Sequence, residues 1–158
     1  MRKSVADLPR RAEVSQKCNV RYLEALAAVE DLKPLRELAD ALCRPTRWKK
    51  QRVRALNPLS PDDAALLAAV ARGEFLAHGL RNRDLCHLLY PHAAATPQEQ
   101  RRRSSAVTRK LRLLRAHGLI HKVPHRHRYT VSPKGRQAIT ALLAAREANT
   151  KELTSLAV

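Results

Sequence analysis

Gln98, Arg101, Ser105, Thr108, Arg109 and Arg112 fall on one side of the chain when the stretch 96–117 is wound at 100° per residue. Each arginine offers a planar fork of N–H donors that fits an oxyanion or two acceptors side by side. The hydroxyls of Ser105 and Thr108 lie between the arginines. A face of this kind suits a polyanion with a groove about one helix wide.

The segment that must carry this face, TPQEQRRRSSAVTRKLRLLRAHGLI (Thr96 to Ile120), marks both of its own ends. Thr96 is placed to cap a helix, Pro97 suits the first helical position, and Glu99 stands where a capping-box acid belongs. Gly118 supplies a left-handed stop. Between the caps about 21 residues would span roughly 31 Å. Val107, Leu111 and Leu114 follow i, i+4, i+7 and define the buried stripe opposite the basic face.

Downstream, Leu119 to Lys122 and Arg128 to Val131 are strand candidates joined by the basic turn Val123-Pro124-His125-Arg126-His127, and Ser132-Pro133 opens a helix expected over Pro133 to Ala148. With two helices before it, this order is that of a winged helix–turn–helix. The chain resembles that family over roughly Ser60 to Ala148, most closely the MarR-like type. LRLLRAHGLI (Leu111 to Ile120) runs into the wing, and RYTVSPKGRQAI (Arg128 to Ile139) closes it and starts the next helix. Where MarR-like wings usually carry an Asp-Arg pair, this chain has His125-Arg126-His127. The whole chain is also similar to the C-terminal region of longer, uncharacterised bacterial proteins, which implies an upstream domain as a partner. The expected fold is mainly α, a winged helix–turn–helix with a two-stranded β wing. A basic helical extension and linker (1–57) would precede the winged-helix domain (58–148), and a short tail (149–158) would follow it.

Composition agrees with this expectation. Hydrophobic residues make up 44 % of the 158, enough for a core, but aromatics only 3 %, so the core must come from Leu, Ala and Val, which favours helix. The formal net charge is +17, with a sequence pI near 11.0. Such charge concerns partners rather than fold, and nucleic acid is the usual partner. It is also segregated: no Asp or Glu occurs from Gln100 to Arg146, whereas Arg101 to Arg136 holds twelve Lys and Arg. A solvated helix normally mixes signs. Cys18, Cys43 and Cys86 stand far apart in no motif and read as reduced thiols of a cytoplasmic protein. No apolar run approaches a membrane span, the longest being Ala64 to Ala71.

Along the rest of the chain, Met1 to Lys17 is polar and basic and is interrupted by Pro9. Asn19 is expected to cap a helix from Val20 to Asp31. A second short helix is expected over Leu35 to Cys43, pairing with the first as a hairpin against the winged domain. Arg44 to Asn57 is a second basic cluster containing Trp48, the single tryptophan. It reads either as a linker whose Trp48 packs on the domain or as an arm (Arg47, Lys49, Lys50, Arg52) that follows a phosphate backbone. Ser60-Pro61 caps the next helix, with Leu66, Leu67 and Val70 inward. Gly73 should end it, leaving Phe75-Leu76 extended. Asn82 should cap a helix with Leu85, Leu88 and Leu89 on one face, followed by a long connection from Pro91 to Ala95. Ile139, Leu142 and Leu143 give the last helix an apolar edge, which either covers the core or pairs two subunits into a homodimer. Leu153 and Leu156 lie beyond it.

The resemblance implies double-stranded DNA binding through a recognition helix (96–117) and a wing (121–131), in transcriptional regulation or DNA targeting. Helical geometry assigns base-edge contacts to Arg101, Ser105, Thr108, Arg109 and Arg112, since only outward side chains reach bases from the major groove. Arg102, Arg103 and Lys110 should meet phosphates or neighbouring elements. Lys122, Arg126 and Arg128 belong to the wing, and Lys134 and Arg136 to the turn after it. His121, His125 and His127 lack a Cys or acid to complete a metal site, so they read as solvated wing residues. With no catalytic motif and only four glycines, the chain reads as a non-enzyme without cofactor. The alternatives are a winged-helix module for RNA or an acidic protein, and the DNA-binding end of a larger machine. Replacing Leu111 with Ala should destabilise the fold by roughly 2–5 kcal/mol in a urea melt; an unchanged midpoint would place Leu111 off the buried stripe.

Overall fold

A computed structural model of the chain describes residues 8–27 and 34–148. Its elements in order are α1 (Leu8–Ala27), α2 (Leu35–Leu42), β1 (Thr46–Trp48), β2 (Gln51–Val53), α3 (Pro61–Val70), α4 (Gly73–His78), α5 (Asn82–Leu89), α6 (Pro97–Ala116), β3 (Ile120–Lys122), β4 (Tyr129–Val131) and α7 (Pro133–Glu147). The fold is mainly helical, with two short antiparallel hairpins, β1–β2 and β3–β4. Among the described residues no helix is long and apolar enough to cross a membrane.

Helix starts follow local chemistry. Ser60, Thr96 and Ser132 each accept a hydrogen bond from the backbone N–H three residues on, and each is followed by proline. These side chains satisfy N–H groups that the helix itself leaves unbonded. Glu99 reaches back one residue further than a capping box, accepting at 2.9 Å from the Ala95 N–H. That donation and the Arg103 guanidinium hold its carboxyl below the ordinary glutamate value.

The core is built largely from aliphatic side chains. Leu66, Leu67 and Val70 of α3, Leu85 of α5, Val107, Leu111 and Leu114 of α6, and Ile139 of α7 are all buried in one cluster. Leu42, Val53 and Leu56 join the same cluster, so the core runs without a break past residue 57. Helix α1 lies against α4 and α7, and α2 against α7. The apolar edge of α7 is spent inside the chain, with Ala138, Ile139 and Leu142 buried and Leu143 half-buried.

Several elements differ from the sequence expectations. The first helix, expected from Val20, is already present at Leu8, the first described residue, and Asn19 lies within it rather than capping it. Residues 28–31 of the expected helix, and the tail 149–158 with Leu153 and Leu156, lie outside the described residues. In the basic stretch after Pro45, Trp48 packs on the core, as one of the two readings expected, but the stretch is regular structure. It folds as β1–β2, with Thr46 opposite Val53 and Trp48 opposite Gln51. Lys49 and Lys50 make the turn at φ 50° and 62°, where glycine or asparagine is usual. Phe75 and Leu76, expected extended, are in α4, and Gly73 begins that helix instead of ending α3. At α5 the cap is Arg81, whose N–H donates at 2.8 Å to Asp84 Oδ2; Asn82 is the first helical residue. Leu80, just ahead, exchanges two 2.8 Å backbone hydrogen bonds with Tyr129 and so adds a one-residue bridge on the edge of β4 away from β3.

One buried acid stands out. Asp63 is 1 % exposed and accepts a two-pronged contact from Arg54 at 2.7 and 2.6 Å, with the Asn57 N–H a third donor at 2.9 Å. The Arg54 hydrogen bonds, followed by that of Asn57, outweigh burial and hold the carboxyl below its ordinary value. A carboxyl lowered in the folded state adds stability that is complete above its unfolded pKa, near 3.9, and is lost as pH falls through the folded value. Asp63→Asn should therefore lower stability at pH 7 by about 1–3 kcal/mol and flatten the acid-side fall in a series of thermal melts from neutral to strongly acidic pH. An acid limb as steep as the parent's would place its origin elsewhere.

Candidate nucleic-acid interface

The basic face of α6 projects from a helix fixed on three sides. Val107, Leu111 and Leu114 anchor it in the core, with Leu113 buried beside them. Against α5 the fixing is polar and centres on Asn82. Its Nδ2 donates to the Ser104 carbonyl at 3.0 Å and to Thr108 Oγ1 at 2.9 Å, and its Oδ1 accepts from Ser104 Oγ at 3.1 Å and Cys86 Sγ at 3.4 Å. A single amide thus uses both its donors and its acceptor to set the α5–α6 register. At the far end, His117 closes α6 and is buried, its Nε2 2.9 Å from the Arg54 carbonyl oxygen. Since the carbonyl can only accept, Nε2 carries the proton.

On this scaffold Arg101, Arg102, Ser105, Thr108 and Arg109 are exposed, as their helical phase predicts. Thr108 is less available than its phase implies: its hydroxyl donates to the Ser104 carbonyl at 2.9 Å while accepting from Asn82. Arg112 is half-buried, its guanidinium carbon 5.9 Å from the Trp48 ring centroid. Arg115 lies 4.7 Å from the same centroid and 5.9 Å from that of Tyr129, so both hairpins meet α6 at this one side chain. Arg103 is taken up locally by Glu99, the His92 carbonyl and the Tyr90 ring, and it pins the Pro91–Ala95 connection to the helix.

The β3–β4 hairpin presents Lys122 and Arg126 outward, with Lys134 exposed at the start of α7. Arg128, grouped with them by sequence, is half-buried and donates to the His78 carbonyl at 3.0 Å, so it ties the hairpin to α4. Arg136 is buried. His121, His125 and His127 are exposed, and among the described residues no group of three His, Cys, Asp or Glu is placed to hold a metal. On β1–β2 the side chains of Arg47, Lys49, Lys50 and Arg52 are all exposed. Trp48 holds their hairpin against α6.

The sequence reading missed Asn82 as a clamp, His117 and Arg54 as a joint between β2, α3 and α6, and Arg115 as the meeting point of the hairpins. A faint signal existed for the joint in the alternation Thr46, Trp48 and Gln51, Val53, but the Lys49-Lys50 turn carries no turn residue to frame it. No family model, curated protein or solved structure matches the chain.

Replacing Asn82 with Ala would strip Ser104 and Thr108 of their partner. The expected loss is about 1–3 kcal/mol, measured by urea unfolding, with faster amide exchange where α5 meets α6. A variant with parental stability and exchange would show that apolar contacts alone set the register.

Proposed function

We propose that the chain is a winged helix–turn–helix module that binds double-stranded DNA, with α5–α6 as the helix–turn–helix, α6 entering the major groove and β3–β4 as the wing, and that it serves transcriptional regulation or DNA targeting. The observation that carries this reading is the exposed cationic face of α6, Arg101, Arg102 and Arg109 around Ser105, held rigid from behind by Asn82 within a 47-residue stretch (100–146) that contains no carboxylate. Twenty helical residues span about 30 Å, enough to lie across a major groove about 12 Å wide. Lys and Arg contacts to phosphates release condensed counterions, which supplies affinity and makes it fall steeply with salt. Arginine can also grip guanine O6 and N7 together, which supplies discrimination. In this reading Lys122, Arg126 and Lys134 hold the backbone beside the groove, and the module binds without catalysing.

Aromatic placement favours duplex over single strands, which are held by stacking bases on open rings. Phe75 is buried, and the rings of Trp48, Tyr90 and Tyr129 each lie under an arginine. Tyr22 on α1 is the one ring of the five that is largely exposed, at 58 %.

The test is fluorescence anisotropy against a randomised duplex pool at several salt concentrations, with sequencing of the bound fraction. The double substitution Arg101→Ala/Arg109→Ala should weaken binding by roughly 2–6 kcal/mol, at least about thirty-fold, and leave the melting temperature nearly unchanged. Parental affinity in this variant would remove α6 as the reading element. Preference for structured RNA over duplex in competition would turn the assignment to the RNA-binding alternative.

A further inference from the structure

Beside the exposed face of α6 lies a cleft of about 600 Å³ whose other wall is the β1–β2 hairpin. Arg52 enters it from β2, and Arg109, Lys110 and Arg112 enter from α6, over a floor that includes Val53 and Leu113. No carboxylate lines it. Arg54 also borders the cleft, but its guanidinium is committed to Asp63, and that acid is buried behind it. Four cations therefore converge from two elements, and the nearest carboxylate, Asp63, acts on Lys110 and Arg54 from behind the wall and leaves the open side without an anion. Like charges brought together in a partly enclosed space repel one another, and a bound counter-anion relieves that repulsion. Neither wall is free to swing away: Trp48 packs against Arg112 and Arg115, and the Arg54 carbonyl is held by His117.

We propose that this cleft is a phosphate-binding site. The phosphate comes either from the backbone of a duplex lying along α6 or from a free polyphosphate. In the first case the inference rests on the duplex reading and makes β1–β2 a second backbone clamp in addition to the wing. Arg52 and Lys110 approach the phosphate from the two walls, and Arg112, steadied on the Trp48 ring, supplies a pre-oriented fork.

The experiment uses the full chain and the variant Arg52→Gln/Lys110→Gln, with Arg52→Gln alone as a second variant on an exposed strand position in case the half-buried Lys110 does not tolerate change. One arm measures the salt dependence of binding to a labelled random-sequence duplex. The other measures the rise in melting temperature caused by sodium tripolyphosphate. If the phosphate is a DNA backbone group, the slope of log affinity against log salt becomes shallower by about 0.9 for each contact removed, so about 1.8 for the double variant. If it is a free polyphosphate, the tripolyphosphate shift seen in the parent is lost while the duplex slope stays. A folded double variant with both readouts parental overturns the site. The two readings fail separately: a parent that ignores duplex but is stabilised by tripolyphosphate through Arg52 and Lys110 keeps the cleft and loses the duplex reading. A parental slope and a parental tripolyphosphate shift in the double variant, together with lost duplex binding in the Arg101/Arg109 variant, do the reverse.

Discussion

Arg54 joins three parts of the chain through two different chemistries. Its guanidinium grips Asp63 at the start of α3, and its backbone carbonyl accepts from His117 at the end of α6. An isolated buried carboxylate is strongly disfavoured, so Asp63 makes the pairing obligatory rather than optional. Because Arg54 directly follows β2, the same pairing fixes where the first hairpin sits against α6. The basic face, the cleft beside it and the approach of Trp48 all inherit their positions from this joint.

With 31 Lys and Arg against 14 Asp and Glu, the chain cannot neutralise its cations by ion pairing. It uses ring faces instead. Lys49, Arg112 and Arg115 gather around Trp48, and Arg103 covers Tyr90. Each such contact contributes about 0.5–1 kcal/mol where exposed and more where dry. Around Trp48 they hold the cations in place with their charge intact, whereas the Glu99 carboxylate partly cancels the charge of Arg103. The few aromatic residues therefore act as supports for cations, and so the helix can be densely basic yet ordered.

How much of this could be read in advance depended on the range of the determining contacts. Thr96-Pro97, Ser60-Pro61 and Ser132-Pro133 announce helix starts through bonds spanning three residues, and the phase of Val107, Leu111 and Leu114 follows from helical geometry alone. The exposure of Arg101, Ser105 and Arg109 came from the same geometry. What stayed hidden was decided at long range. Asn82 looks like a cap, but its amide is drawn 22 and 26 residues onward to Ser104 and Thr108. Sequence alone gives Arg112 to base edges and Arg128 to the outer wing, and each is instead drawn to a ring or carbonyl whose nearness is a tertiary fact. The Lys49-Lys50 turn hid the first hairpin because its backbone adopts left-handed angles with residues that rarely choose them.

The closing motif of the β3–β4 hairpin has a mechanical side. Ser132 Oγ donates to the Gly118 carbonyl at 2.7 Å and accepts from the Gly135 N–H at 2.8 Å. A side-chain carbon at Gly135 would collide with the Leu119 carbonyl oxygen, so the first turn of α7 rests directly on the peptide from which β3 departs. The hairpin and α7 thus share a rigid pivot with no slack between them. The first turn of α7 and the hairpin therefore move as one piece, so a substitution that tilts α7 would also re-aim His125-Arg126-His127.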